Sequence, residues 1–184
     1  MMKNRLFHLS IGAAIAGIIL MNYVTAASEK PHKLELGKTA PSFEGRLLDK
    51  KLLKLEDLFE KNNKVVLLDF WASWCPPCRA EIPHLQEIYK EFHDEGLELV
   101  SINVNESSEV IEKFKVKTPM PWKHIRDIKG EISKLYGVNS IPSLFLIDHN
   151  GVLVAMGSDL RGERIKKTIA KHIKNLPEKE ITQN

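Results

Sequence analysis

The chain has 184 residues, with 27 lysines and arginines, 24 aspartates and glutamates, seven histidines and two cysteines. That length holds one ordinary domain and a short appendage. A net charge of +3, with aromatics that do not interleave with basic clusters, excludes a nucleic-acid binder, and the lack of a second cysteine pair or a closely spaced histidine pair excludes a four-ligand zinc site.

At the amino terminus, Lys3 and Arg5 precede the apolar stretch Leu9 to Met21, and the small residues of Val24-Thr25-Ala26-Ala27 suit cleavage after Ala26 or Ala27. Residues 1–27 therefore read as a signal peptide. The alternative is an uncleaved membrane anchor, because apolar character extends over residues 6–24, close to the roughly 20 residues that span a bilayer. Either way the rest of the chain is expected outside the cytoplasm, soluble or anchored, with this segment as its only membrane contact. No cysteine stands directly after it to carry a lipid. Without Lys3 and Arg5 the remainder is close to neutral.

Residues 28–33 are polar, include Pro31 and read as a linker; the domain runs over 34–176, and 177–184 form a polar tail. Phe43 to Leu47 and Lys51 to Leu55 flank Asp49-Lys50 as a β-hairpin, followed by a short helix over Glu56 to Lys61. Val65 to Phe70 is a buried parallel strand interrupted only by Asp69. Pro76-Pro77 opens a helix in which Ile82, Leu85, Ile88, Tyr89 and Phe92 recur at helical spacing, and Gly96 stops it. Leu97 to Val104 is the next strand, and Ser107 to Phe114 a helix with Val110, Ile111 and Phe114 on one face. Pro119 and Pro121 break the chain before the segment Trp122 to Ile125 and a short helix around Glu131 to Tyr136. Ser143 to Ile147 and Val152 to Met156 flank His149-Asn150-Gly151 as a second hairpin. A last helix, Gly162 to Asn175, puts Ile165, Ile169, Ile173 and Leu176 on one stripe. Strand–helix units followed by a hairpin and a closing helix make an α/β domain.

The two cysteines sit three apart in Trp74-Cys75-Pro76-Pro77-Cys78, between the buried strand and the helix. A disulfide closing so short a loop removes little chain entropy, so stability does not explain it. A cysteine at a helix N-terminus faces unpaired N–H groups and the positive end of the helix dipole, which favour its thiolate. The pattern is that of thiol–disulfide exchange, in which Pro76 and Pro77 remove two N–H donors that would otherwise face the sulfur.

Several ordered motifs extend the pattern: Gly37-Lys38-Thr39-Ala40-Pro41-Ser42-Phe43, Leu68 through Pro83 around the cysteines, Tyr136 through Ser143, and Phe145 through Gly151. Across about Leu34 to Leu176 the chain resembles the thioredoxin superfamily, and within it the exported TlpA-like and ResA-like branch of thiol–disulfide oxidoreductases. The resemblance implies a thioredoxin fold: a central mixed sheet flanked by helices, here with an N-terminal β-hairpin extension. It implies that Cys75 is the exposed nucleophile and Cys78 the resolving thiol of a redox-active disulfide. Asp69 matches the buried acid that assists proton transfer at the resolving thiol; where thioredoxin carries that acid's lysine partner this chain has Ser101, which favours a protonated Asp69. Glu81 matches the active-site glutamate of the ResA-like branch, with an ordinary first-turn surface acid as the alternative. Ile141-Pro142 matches the cis-proline loop, which with Trp74 and Pro76 implies a surface for an extended protein substrate. Pro83 matches the proline that bends this helix; Trp71 fits rim or core, and Arg79 is a solvent-facing charge.

The implied function is reductive exchange with protein thiols or disulfides in the periplasm, commonly those of apocytochrome c, with electrons from a membrane thiol carrier and no cofactor or metal. Two alternatives use the same fold. A thiol peroxidase of the peroxiredoxin group would place its cysteine in a Thr-x-x-Cys context, which Ser73-Trp74-Cys75 does not match. A copper-delivery module would need a wider cysteine spacing and a distal histidine, and His124 lies in no matching motif.

Overall fold

Uninterrupted apolar runs build the centre of the molecule. In the computed structural model, which describes residues 34–59 and 64–176, Val65–Trp71 forms β3 and Leu97–Val104 forms β4, all but Val104 buried. They pair in parallel, with Asp69 opposite Ser101. The expected signal or anchor segment, linker and polar tail, and the end of the first expected helix, lie outside the described residues.

Among the described residues the sheet has seven strands, this pair together with β1 (Glu44–Leu47), β2 (Leu52–Lys54), β5 (Lys123–Asp127), β6 (Ser143–Ile147) and β7 (Leu153–Met156), in the order β2-β1-β5-β4-β3-β6-β7. β5 runs parallel to β4, while β6 and β7 add antiparallel strands beyond β3. The expected hairpin is β1 and β2, antiparallel to each other and attached through β1 to β5. The attachment is close at Gly45, where an added Cβ would lie 2.7 Å from the Ile125 side chain. The sheet is mixed, as the resemblance implies.

Strand side chains alternate between faces, and each face has its own core. Leu67 and Trp71 of β3 and Leu97 and Leu99 of β4 pack with α2 (Pro76–Phe92), α3 (Ser108–Lys117) and α5 (Glu163–Ile173). Leu68 and Phe70 pack on the other side with Phe43, α1 (Glu56–Phe59) and α4 (Glu131–Leu135). There Tyr136 meets Phe43, Phe70 and Phe145 ring to ring and donates its hydroxyl to the Pro41 carbonyl at 2.8 Å. Among the described residues no helix is long and apolar enough to cross a membrane.

Two expectations change. α3 runs on to Lys117, and of its expected apolar face only Ile111 is buried while Val110 is 44% exposed. Neighbouring residues point about 100° apart on a helix, so 110 and 111 cannot both face the sheet. A 3₁₀ turn at Gly157–Leu160, absent from the sequence reading, joins β7 to α5 and buries Leu160.

Candidate active site

The site lies where β3 ends and α2 begins. Cys75 is the N-cap of α2, with extended backbone (φ −91°, ψ 105°), and Pro76 and Pro77 occupy the first helical positions, where a missing N–H costs no helix bond. The first amide left to donate is that of Cys78, 3.2 Å from the Cys75 sulfur. The two cysteines form a disulfide, with Cα atoms 5.3 Å apart.

The expectation of an exposed Cys75 is corrected: the residue is 3% exposed and Cys78 1%. The N-cap position tucks Cys75 against the core beneath the loop preceding β6, and the Ile141 carbonyl oxygen lies 3.8 Å from its Sγ. The Ile141–Pro142 bond is cis, as the motif implies. Trp74 stands beside the disulfide at 64% exposure and Pro76 is exposed, as expected of a rim. Trp71 belongs to the core, its ring against Phe114 and His124.

Strand alternation puts Asp69 on the face it shares with Leu67 and Trp71, the face that α2 covers. It is 2% exposed, as a buried acid must be. Ser101, its partner in register, donates its hydroxyl to Asp69 Oδ2 at 2.9 Å and accepts the Trp122 indole N–H at 2.8 Å. No ammonium faces the acid at this register position. Burial outweighs the Ser101 hydrogen bond and, with the nearby negative charge of Glu81, lifts the Asp69 carboxyl from 3.8 to about 7.

Glu81 points inward along α2, its side chain only 22% exposed. One carboxylate oxygen, Oε1, is buried without a hydrogen-bond partner, and the His84 ring nitrogen is 3.8 Å away. The carboxylate faces a cavity of about 600 Å³ whose walls include Tyr136, Pro142, Leu144, Met156 and Arg161. The surface-acid alternative for Glu81 does not fit this placement.

His124 also lies on this face, in register with Ser101 on β5. Its Nε2 is 3.1 Å from the Met120 carbonyl, and burial, helped by Lys115, lowers its pKa to about 3. It is a neutral core ring. Among the described residues no three His, Cys, Asp or Glu side chains gather into a metal site.

Sequence reasoning missed three contributors. Arg161 lines the cavity and its guanidinium is 3.4 Å from the Pro142 carbonyl. Trp122 supports Ser101. Glu106, just past β4, accepts hydrogen bonds from both the amide and the hydroxyl of Ser73. One signal pointed to Glu106: it follows the carboxyl end of a central parallel strand, where α/β sheets place their sites.

A disulfide at a helix N-terminus, a buried acid behind it and a cis-proline loop beside it define a thioredoxin-fold protein built for thiol–disulfide exchange. Residues 36–156 match the sequence model of the AhpC/TSA family, and the chain belongs to that family. It is 31% identical over 177 residues to the thiol–disulfide oxidoreductase ResA of Bacillus cereus, covering 96% of this chain and 99% of that protein. Among solved structures it resembles a Chlorobium tepidum protein assigned as a thiol:disulfide interchange protein DsbE, with a TM-score of 0.69 and 31% identity, over 77% of this chain and 99% of that one. The thioredoxin domain of a thiol–disulfide oxidoreductase from Bacteroides vulgatus aligns with a TM-score of 0.68 at 27% identity, over 77% of this chain and 99% of that one. The protein is an enzyme of the thiol–disulfide oxidoreductase class.

Proposed function

We propose that the protein works outside the cytoplasm as a reductant of protein disulfides, with the haem-attachment cysteines of apocytochrome c as one partner. The observation that supports exchange chemistry is the Cys75–Cys78 disulfide at the start of α2 beside the cis Ile141–Pro142 loop, with the buried Asp69 carboxyl on the same face of the sheet to handle the proton; the reductive direction and the partner follow from the resemblance to ResA.

In the proposed cycle the reduced Cys75 thiolate attacks one sulfur of the partner's disulfide. That bond breaks, a mixed disulfide forms, and the partner's leaving thiolate takes a proton from solvent. Asp69, with Glu81 beside it, accepts the proton of Cys78. The Cys78 thiolate then attacks Cys75 Sγ, breaks the mixed disulfide and releases the second partner thiolate. Two electrons have passed to the partner, leaving the Cys75–Cys78 disulfide, which a membrane thiol carrier reduces again. Trp74, Pro76, Ile141 and Pro142 hold the partner as an extended strand, and Glu81 meets its side chains from the cavity floor. The peroxidase and copper-delivery alternatives gain nothing: the curated relatives are thiol–disulfide oxidoreductases, and His124 is packed between tryptophans.

The test is a Cys78→Ser variant mixed with a peptide carrying an oxidised Cys-x-x-Cys-His segment. The variant is expected to accumulate a mixed disulfide on Cys75, and the reduced native protein to convert the peptide to its dithiol. An equilibrium that instead oxidises the dithiol peptide would reverse the direction. For the compartment, residues 1–33 fused to a reporter should export it; a reporter kept in the cytoplasm would defeat that part.

A further inference from the structure

Ser73 lies two residues before Cys75 in the loop between β3 and α2, and that loop is tied to the end of β4 through one side chain. Glu106 Oε2 accepts the Ser73 amide at 2.7 Å, Oε1 accepts the Ser73 hydroxyl at 2.5 Å, and Oε2 also accepts the Asn103 side-chain amide at 2.7 Å. The backbone aims it there. Asn105 has a φ of +62°, a left-handed conformation that asparagine tolerates better than most residues, and it turns the chain back at the end of the strand. All three donors are neutral, so they satisfy the carboxylate oxygens without cancelling the charge.

We propose that Glu106 is a positioning residue that fixes the loop carrying Cys75 and, through its negative charge, restrains ionisation of the Cys75 thiol. This rests on Cys75 being the attacking thiol. The consequence is a dithiol that gives up its electrons more readily, because whatever destabilises the thiolate destabilises the reduced form. Other titratable groups on the elements packed around the cysteines include Asp69 from β3, Arg79, Glu81 and His84 from α2, His124 from β5, and Arg161 beside the Pro142 loop. The test leaves all of them in place.

Anchoring and charge can be separated. A glutamine at 106 can put its oxygen in the Oε2 place, accepting the Ser73 amide and the Asn103 side-chain amide, and its NH2 in the Oε1 place, donating to the Ser73 hydroxyl oxygen. Glu106→Gln therefore keeps the tie and removes the charge. Glu106→Asp keeps the charge on a shorter arm. The reduced full-length protein is alkylated across a pH series, with modification at each cysteine followed by mass spectrometry, alongside thermal unfolding.

In Glu106→Gln the Cys75 midpoint should fall by about half a unit to one unit with an unchanged melting temperature. In Glu106→Asp the midpoint should stay within about 0.2 unit of native while exchange with a peptide disulfide slows, as expected for a loosened loop that still carries the charge. A native protein that modifies Cys75 first, with a midpoint that does not move in Glu106→Gln or moves equally in both variants, overturns this inference alone. A native protein that modifies Cys78 first overturns the nucleophile assignment and this inference with it.

Discussion

Two carboxyls are buried in neighbouring strands, at opposite ends and on opposite faces of the sheet, and they are treated in opposite ways. Glu98, near the start of β4, is held by the ammonium groups of Lys64 at 2.8 Å and Lys123 at 2.5 Å. Burial alone would raise its pKa, but the hydrogen bonds and charges of the two lysines hold it below the ordinary value. Asp69, near the end of β3, has a serine hydroxyl and no cation at the matching position, and its pKa rises. The amino-terminal ends of the strands meet the cost of a buried charge by pairing it. The carboxyl-terminal ends leave an acid unpaired, and that is where the disulfide sits.

The largest effect should come from Asp69→Asn. The folded Asp69 pKa of about 7 lies above the ordinary 3.8, so well below pH 3.8 both states hold the proton and the residue has no pH-linked effect. As pH rises towards 7 the unfolded chain releases the proton and the native one retains it, so native stability falls and then levels off. Relative to native, Asp69→Asn should gain up to about 4 kcal/mol in urea unfolding between pH 4 and pH 8. Its mixed disulfides should also resolve at least ~10-fold more slowly at pH 7. Parallel stability curves for variant and native protein would erase the contrast with Glu98.

A smaller effect, of opposite meaning, is expected at the other end. Replacing both Lys64 and Lys123 by Met leaves Glu98 buried and unpaired, and should cost about 2–3 kcal/mol at pH 7, discounted because both lysines are partly exposed. That loss should shrink as pH falls and Glu98 takes a proton, with exchange activity unchanged. A loss that stays constant down to pH 4 would show that Glu98 is not what the lysines serve.

The smallest effect sharpens the comparison at Asp69 itself. Ser101→Ala removes the hydroxyl that lowers the Asp69 pKa and leaves the Trp122 indole N–H unpaired, so stability should drop by about 1 kcal/mol and the carboxyl titration, followed by NMR, should move further upward. A downward movement would mean that Ser101 is not the donor.

Much of this was legible in the sequence because apolar continuity is a local signal. β4 and β6 begin and end at the residues the sequence predicts, and β3 is longer by one residue, Trp71. The disulfide, the buried acid and the cis-proline loop lie within short, ordered motifs. What escaped depends on distant partners. The Glu106 and Ser73 contact joins residues 33 positions apart, and the Trp122 and Ser101 contact joins residues 21 apart, so neither leaves a periodic trace. Burial of Cys75 escaped for a related reason: its cover comes from Ile141, 66 residues away. The 3₁₀ turn begins at Gly157 and Arg161 comes directly after it, where no hydrophobic rhythm exists to be read.

The consecutive prolines at the start of α2 limit the solvation of the sulfur they precede. An ordinary first turn presents a run of amide hydrogens to whatever anion sits at its cap. Here two of those hydrogens are missing from the covalent structure, and the Cys78 amide alone reaches the Cys75 sulfur. A sulfur anion at this cap is therefore thinly coordinated, like an ion with part of its hydration shell stripped away. Chemistry that discharges the anion by forming a bond to another sulfur relieves that shortage, and the helix start itself favours passing the electrons on.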